Sequence, residues 1–125
     1  MPNALDSFTL WLSERRDFLH NLEKEAIRVL QEDKNPDKYR ALMCQKAQFL
    51  EELPEEAEKH VSGIPDDVAM LIAKRLQKFS RSASQALELD SVFYMYALLY
   101  PEDHREGEPN ELDEFVAELA KKAEA

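Results

Sequence analysis

The three histidines and the single cysteine are the residues best suited to metal or nucleophilic chemistry. Glu56 and His60 are four residues apart, so a helix would place both on one face. A carboxylate-bridged di-iron bundle needs Glu-x-x-His on two helices and two further glutamates. The spacing here differs and is not repeated. We therefore expect no metal site and no bound cofactor.

Nucleophilic catalysis has equally little support. Cys44 lies in an apolar helical pattern and is interpreted as a packed residue, and His20 as a partly buried structural one. The alternating residues Ser80, Ser82 and Ser84 would spread around a helix rather than gather near a base. No glycine-rich loop is present to hold a phosphate. We expect the chain not to be an enzyme.

Asp90 is the carboxylate whose position raises a functional question. Apolar residues recur at spacings of three and four from Val68 to Ala86, which predicts one helical stripe. Continued at about 3.6 residues per turn, that stripe passes through position 90 and reaches Phe93. Either the helix breaks and Asp90 caps a new one, or the helix continues and Asp90 is a buried functional acid with a partner.

The segment from Ser91 to Tyr100 is apolar on nearly every face and is predicted to be helical, ending before Pro101. It is too short to span a bilayer, which takes about 20 apolar residues. Tyrosine is enriched at protein interfaces. One interpretation is therefore self-association, and the other is complete burial within one chain. The candidate interface residues are Phe93, Tyr94, Tyr96, Leu99 and Tyr100.

Helical spacing elsewhere predicts the elements that must hold this segment. A first helix of about 28 residues runs from Leu5 or Asp6 to about Asp33. A second begins at Pro36 after the cap Asn35, and the short turn makes the two antiparallel neighbours. Pro54 predicts a kink, or a stop and restart. The last helix starts at Asn110, with Asp113 as a reciprocal cap. We predict one all-α domain over residues 1–125: a four- or five-helix bundle, mostly antiparallel, led by a long N-terminal helical hairpin.

The charge of the chain limits its partners. A net charge of −10 disfavours nucleic acid. No apolar run is long enough for a membrane, and no signal peptide is recognised, so we expect a cytoplasmic protein. Residues 68–87 are the exception, with four basic side chains and no acidic one. The four residues are Lys74, Arg75, Lys78 and Arg81. We expect them either to pair with acidic side chains of the same chain or to bind an acidic partner.

The sequence favours a non-catalytic helical protein-interaction module that self-associates as a homodimer or binds a protein partner. An alternative is a small acidic adaptor or chaperone that binds a partner helix. A further alternative is a helical enzyme or metal-binding bundle built around Asp90, His20, or Glu56 with His60.

Overall fold

Five helices make up the regular structure of residues 3–124, the part of the chain that the computed structural model describes. They pack against one another as a helical bundle, which confirms the predicted all-α class. Side chains from every helix meet in one apolar cluster. None of these helices is both long and apolar enough to cross a membrane. Their bounds are α1 Ala4–Gln31, α2 Pro36–Glu58, α3 Asp66–Glu88, α4 Val92–Ala97 and α5 Glu111–Glu124.

The predicted N-terminal hairpin is formed by α1 and α2. Asn3 and Asp6 cap the start of α1 reciprocally, with hydrogen bonds of 2.8 and 2.9 Å between side chain and backbone. Asn35 caps α2, accepting a hydrogen bond from the backbone N–H of Lys38, and Pro36 is its first residue. The turn between them is only four residues long, so the helices fold back on one another.

Pro54 does not stop α2, so of the two predicted alternatives, a kink or a stop and restart, the second is wrong. The helix continues through Pro54 to Glu58. Proline removes one backbone hydrogen bond from a helix. Here its ring is buried and, with Ala57 and Ile72, lines a small apolar cleft between α2 and α3. We attribute the continuity to this packing, which offsets the lost bond.

The break between α3 and α4 lies at Asp90. Asp90 adopts a left-handed backbone with φ 50°, a conformation that aspartate tolerates better than most residues. The Ser91 N–H bonds to the Ala86 carbonyl at 3.2 Å and the Asp90 N–H to the Leu87 carbonyl at 3.0 Å. These two bonds form a Schellman motif that closes α3. Ser91 rather than Asp90 then caps α4, by accepting a hydrogen bond from the Tyr94 N–H.

The fourth helix is shorter than the predicted Ser91–Tyr100, because it ends at Ala97. Leu98 leaves the helical conformation with ψ 132°, and Leu99 has φ 77°, so the chain turns here. Both leucines are buried. The Leu99 carbonyl then accepts a hydrogen bond from the Glu111 N–H at 2.9 Å. This turn fixes the aromatic segment to the start of α5.

The last helix returns alongside α1. Asn110 and Asp113 cap it reciprocally, as predicted, with bonds of 2.8 and 2.9 Å. Near the opposite end, the Asn3 side-chain amide lies 3.5 Å from the carbonyl oxygen of Ala123. The first and last described turns of the chain are therefore adjacent.

Candidate functional site

The predicted interface residues divide into an exposed and an enclosed group. Phe93, Tyr94 and Tyr96 have 72%, 53% and 44% of their surface exposed. Leu99 is buried, so it is not available at the surface. Tyr100 is half-buried. The expectation of an exposed aromatic surface therefore has structural support only at the three residues on α4.

The orientation of α4 explains this division. Met95 is buried, and its sulfur accepts from the Cys44 thiol on α2 at 3.7 Å. Successive helical residues are about 100° apart. Because Met95 faces the core, Phe93 projects outward from the opposite face of α4. Tyr94 and Tyr96 lie on the two flanks of the helix between these faces. The rings of Phe93 and Tyr94 meet edge to face, with centroids 5.6 Å apart.

A groove of about 330 Å³ runs along the Tyr94 side of α4. Its floor is apolar and includes Leu50, Phe79 and Leu98. The exposed ring of Tyr94 forms part of one wall, and Lys78 and Glu111 bring one charge of each sign to the rim. We call Phe93, Tyr94 and the adjacent exposed Leu89 the aromatic face. The groove and the aromatic face share Tyr94 and Leu89, so they form one continuous surface.

A buried polar cluster holds the other side of α4. The Lys46 side chain has no exposed surface, and its ammonium group donates to the Tyr96 carbonyl at 2.8 Å. The same nitrogen lies 3.8 Å from a carboxylate oxygen of Glu23 on α1. The Tyr100 hydroxyl donates to that oxygen at 2.5 Å. Three parts of the chain that are distant in sequence are thus joined by one ion pair and two hydrogen bonds.

Aromatic rings complete the enclosure of this cation. The Lys46 nitrogen lies 5.0 Å from the centroid of the Tyr100 ring and 5.8 Å from that of Tyr96. Both distances are within the range of a cation–π interaction. His104 from the following loop packs edge to face on Tyr100, with centroids 4.8 Å apart. The ammonium is therefore held by a carbonyl, a carboxylate and two π faces.

Burial changes the acid–base properties of this cluster. Removal from water lowers the pKa of Lys46 to about 8, although the Glu23 carboxylate opposes the change. Burial also raises the pKa of the Tyr100 phenol, and its hydrogen bond to Glu23 acts in the same direction. A perturbed lysine in an open cleft would suggest catalysis. This lysine is enclosed, and its contacts hold α4 against the hairpin.

Asp90 is not a buried acid, and that prediction is wrong. Its side chain is 76% exposed and pairs with Arg40 at 2.8 Å. It is exposed because the left-handed turn takes residue 90 off the stripe that the helical period extrapolates. The buried carboxylate is Glu23 instead, and its second oxygen has no hydrogen-bond partner within residues 3–124.

The histidines are accounted for by structural contacts. The His20 ring nitrogen lies 2.8 Å from Asp113, joining α1 to the cap of α5. His60 stacks on Trp11, with ring centroids 4.6 Å apart, while Glu56 pairs with Lys59. Between residues 3 and 124, no group of three or more His, Cys, Asp or Glu side chains could hold a metal ion.

The basic residues of α3 fall into two groups by their position. Arg75 lies against the bundle, 3.8 Å from Glu118 and over the Phe115 ring on α5. Lys74, Lys78 and Arg81 are exposed, and none has an acidic side chain within ion-pair distance in the described part of the chain. We call these three residues the basic stripe.

Comparison of the chain with known protein families, with curated proteins and with solved structures finds no match.

Proposed function

We propose that this chain is a non-catalytic protein-interaction module that self-associates through the aromatic face of α4. The observation that carries the proposal is the exposure of Phe93, which is 72% accessible beside the half-exposed ring of Tyr94. Exposed apolar side chains scattered singly are ordinary, whereas a contiguous patch next to a groove is typical of a binding surface. Aromatic residues are also those that contribute most at interfaces.

The rigid attachment of α4 supports the same proposal. An isolated helix of six residues would not be stable in water. Here a Schellman turn precedes it, Met95 anchors it in the core, and Lys46 holds its last turn. An aromatic surface that is fixed before binding loses little conformational entropy when a partner arrives. The bundle thus serves as a scaffold for this short helix.

Sedimentation velocity over a series from micromolar to submillimolar concentration tests the proposal. We expect a concentration-dependent dimer in the wild-type chain and a monomer in Phe93→Asp, because a charge at the interface centre opposes desolvation. Leu10→Asp is the matched control, since Leu10 is 63% exposed on α1 and lies outside the aromatic face. A wild-type chain that remains monomeric at every concentration would contradict the proposal.

The basic stripe favours a second candidate, an adaptor that binds an acidic partner helix. Its three cations face solvent in a chain whose net charge is −10. A glutamate-rich amphipathic peptide labelled with a fluorophore provides the probe, and binding is followed by anisotropy. Salt-sensitive binding that is lost in Arg81→Glu supports this candidate. Equal binding by wild type and variant, or none by either, eliminates it.

A further inference from the structure

We infer that the groove between α3 and α4 receives the Phe93 side chain of a second copy, so that two copies exchange the same contact about a two-fold axis. The inference rests on the self-association proposed above and specifies its geometry. An isologous interface requires one surface that carries both a projection and its receptor. Phe93 projects, and its neighbour Tyr94 lines the groove. Both halves of the contact are therefore adjacent on one face.

The size of the groove selects this occupant over a partner helix. Its volume is about 330 Å³, close to the lower end of the range of about 300–1,000 Å³ for small-ligand sites. A helix bound in a groove inserts anchors at i, i+3, i+4 and i+7 and needs a long apolar channel. One aromatic ring needs far less space. The apolar floor of Leu50, Phe79 and Leu98 suits such a ring.

Charge also favours the approach of two copies at this face. Residues 91–101 contain no charged side chain, although the chain as a whole carries −10. The charge nearest to Phe93 in sequence is that of Asp90, and its ion-pair partner Arg40 balances it. The groove rim likewise carries Lys78 and Glu111. The rim of each copy thus offers one cation and one anion to the other, and this face adds no net charge to the repulsion between two acidic chains.

Two variants separate the projection from the receptor. Phe93→Ser removes the ring. Ser82→Trp fills the groove from an exposed position on its α3 wall, so the bundle can fold unchanged. Gln48→Trp is the control, because Gln48 is exposed on α2 and does not line the groove. Each of the first two variants alone loses both contacts of a symmetric dimer, and we expect each to raise the dimer Kd by roughly tenfold or more.

Mixing the two variants gives the decisive measurement. The open groove of Phe93→Ser can still receive Phe93 from the Ser82→Trp chain, so one of the two contacts re-forms. Native mass spectrometry separates the heterodimer from both homodimers by mass. We expect more heterodimer than random pairing of the two variants would give, with an affinity between those of the single variants and wild type.

The other outcomes contradict either the groove contact or self-association itself. If Phe93→Ser is monomeric but Ser82→Trp dimerises as wild type does, self-association stands and the groove is not the receptor. If mixing yields no more heterodimer than random pairing gives, the exchanged contact is wrong. If the wild-type chain is monomeric throughout, the proposed function fails with it. Circular dichroism checks the folding of Ser82→Trp, and Gln85→Trp, on the same groove wall, replaces it if it unfolds.

Discussion

The side-chain nitrogen of Lys46 lies 2.8 Å from the carbonyl oxygen of Tyr96, although one residue comes from the middle of α2 and the other from the last turn of α4. The carbonyls of a final helical turn have no intrahelical partner and need one when buried. A buried ammonium in turn needs acceptors and a counter-charge. Each residue therefore satisfies a requirement of the other, and Glu23 supplies the charge.

The lowered pKa of Lys46 predicts that stability rises with pH in mildly alkaline solution. Its folded pKa is about 8, against an ordinary value of 10.5. Between these values the unfolded chain binds more protons than the folded one, so raising the pH favours folding. We expect the free energy of unfolding to rise by about 2 kcal/mol from pH 8 to pH 10, as measured by urea denaturation. Above pH 10 the raised pKa of Tyr100 acts in the opposite direction.

Lys46→Met tests the source of this pH dependence, because methionine does not titrate. The rise between pH 8 and pH 10 should disappear in that variant. It should persist in Lys59→Met, since Lys59 is 64% exposed. A rise of equal size in Lys46→Met would show that another group is responsible.

Glu23 and Lys46 should be strongly coupled in stability. Removing one member of a buried ion pair leaves an uncompensated charge and typically costs about 3–5 kcal/mol. We expect Lys46→Met to lose stability in this range at pH 7. Lys46→Met combined with Glu23→Gln should recover a large part of it, because no buried charge remains. A double-mutant cycle by urea denaturation measures the coupling, and additive effects would contradict the pairing.

Tyr100→Phe should destabilise the bundle by removing a hydrogen bond to a charged acceptor. The hydroxyl donates to Glu23 at 2.5 Å, and such bonds contribute about 1.5–3 kcal/mol. Tyr94→Phe is the control on the exposed face and should stay within about 0.5 kcal/mol of wild type. In an absorbance titration, the phenol lost in Tyr100→Phe should be one that ionises above the usual tyrosine pKa. An ordinary pKa for it would contradict the buried contact.

The two glycines provide a comparison of strain with and without crowding. Gly63 and Gly107 both have positive φ, at 84° and 88°. An added Cβ at Gly63 would lie 3.2 Å from the Cβ of Ala4, whereas none of the described atoms comes within 4 Å at Gly107. Gly107→Ala should cost about 1–2 kcal/mol from the backbone alone. Gly63→Ala should lower the thermal midpoint further, and equal midpoints would mean that Ala4 moves aside without cost.

The helices with strong periodicity and clear caps could be predicted from the sequence. Asn35 with Pro36, and Asn110 with Asp113, mark helix starts that the structure confirms. Local rules failed where packing opposed them. Burial kept Pro54 within α2, and a turn around Leu99 shortened α4. Neither effect can be derived from a few neighbouring residues.

The polar cluster was missed for a related reason. Glu23 lies four residues after Leu19, and Lys46 lies four residues before Leu50. Both charges therefore lie on apolar stripes of helices that were predicted to be neighbours. Opposite charges at core positions of a predicted hairpin were a signal for this pair. Nothing in the sequence indicated that Tyr100 would reach the same carboxylate, because that depends on the turn after α4.

Because Asn3 lies close to Ala123, the start of α1 and the end of α5 are neighbours in space. A short linker could join these positions, and the chain could be reopened near Gly107, in an exposed loop where a side chain would meet no neighbour. Such a permuted molecule would begin with α5 and keep every helix pairing. It would also place new ends away from the N-terminal turn, which offers a choice of attachment points for immobilisation.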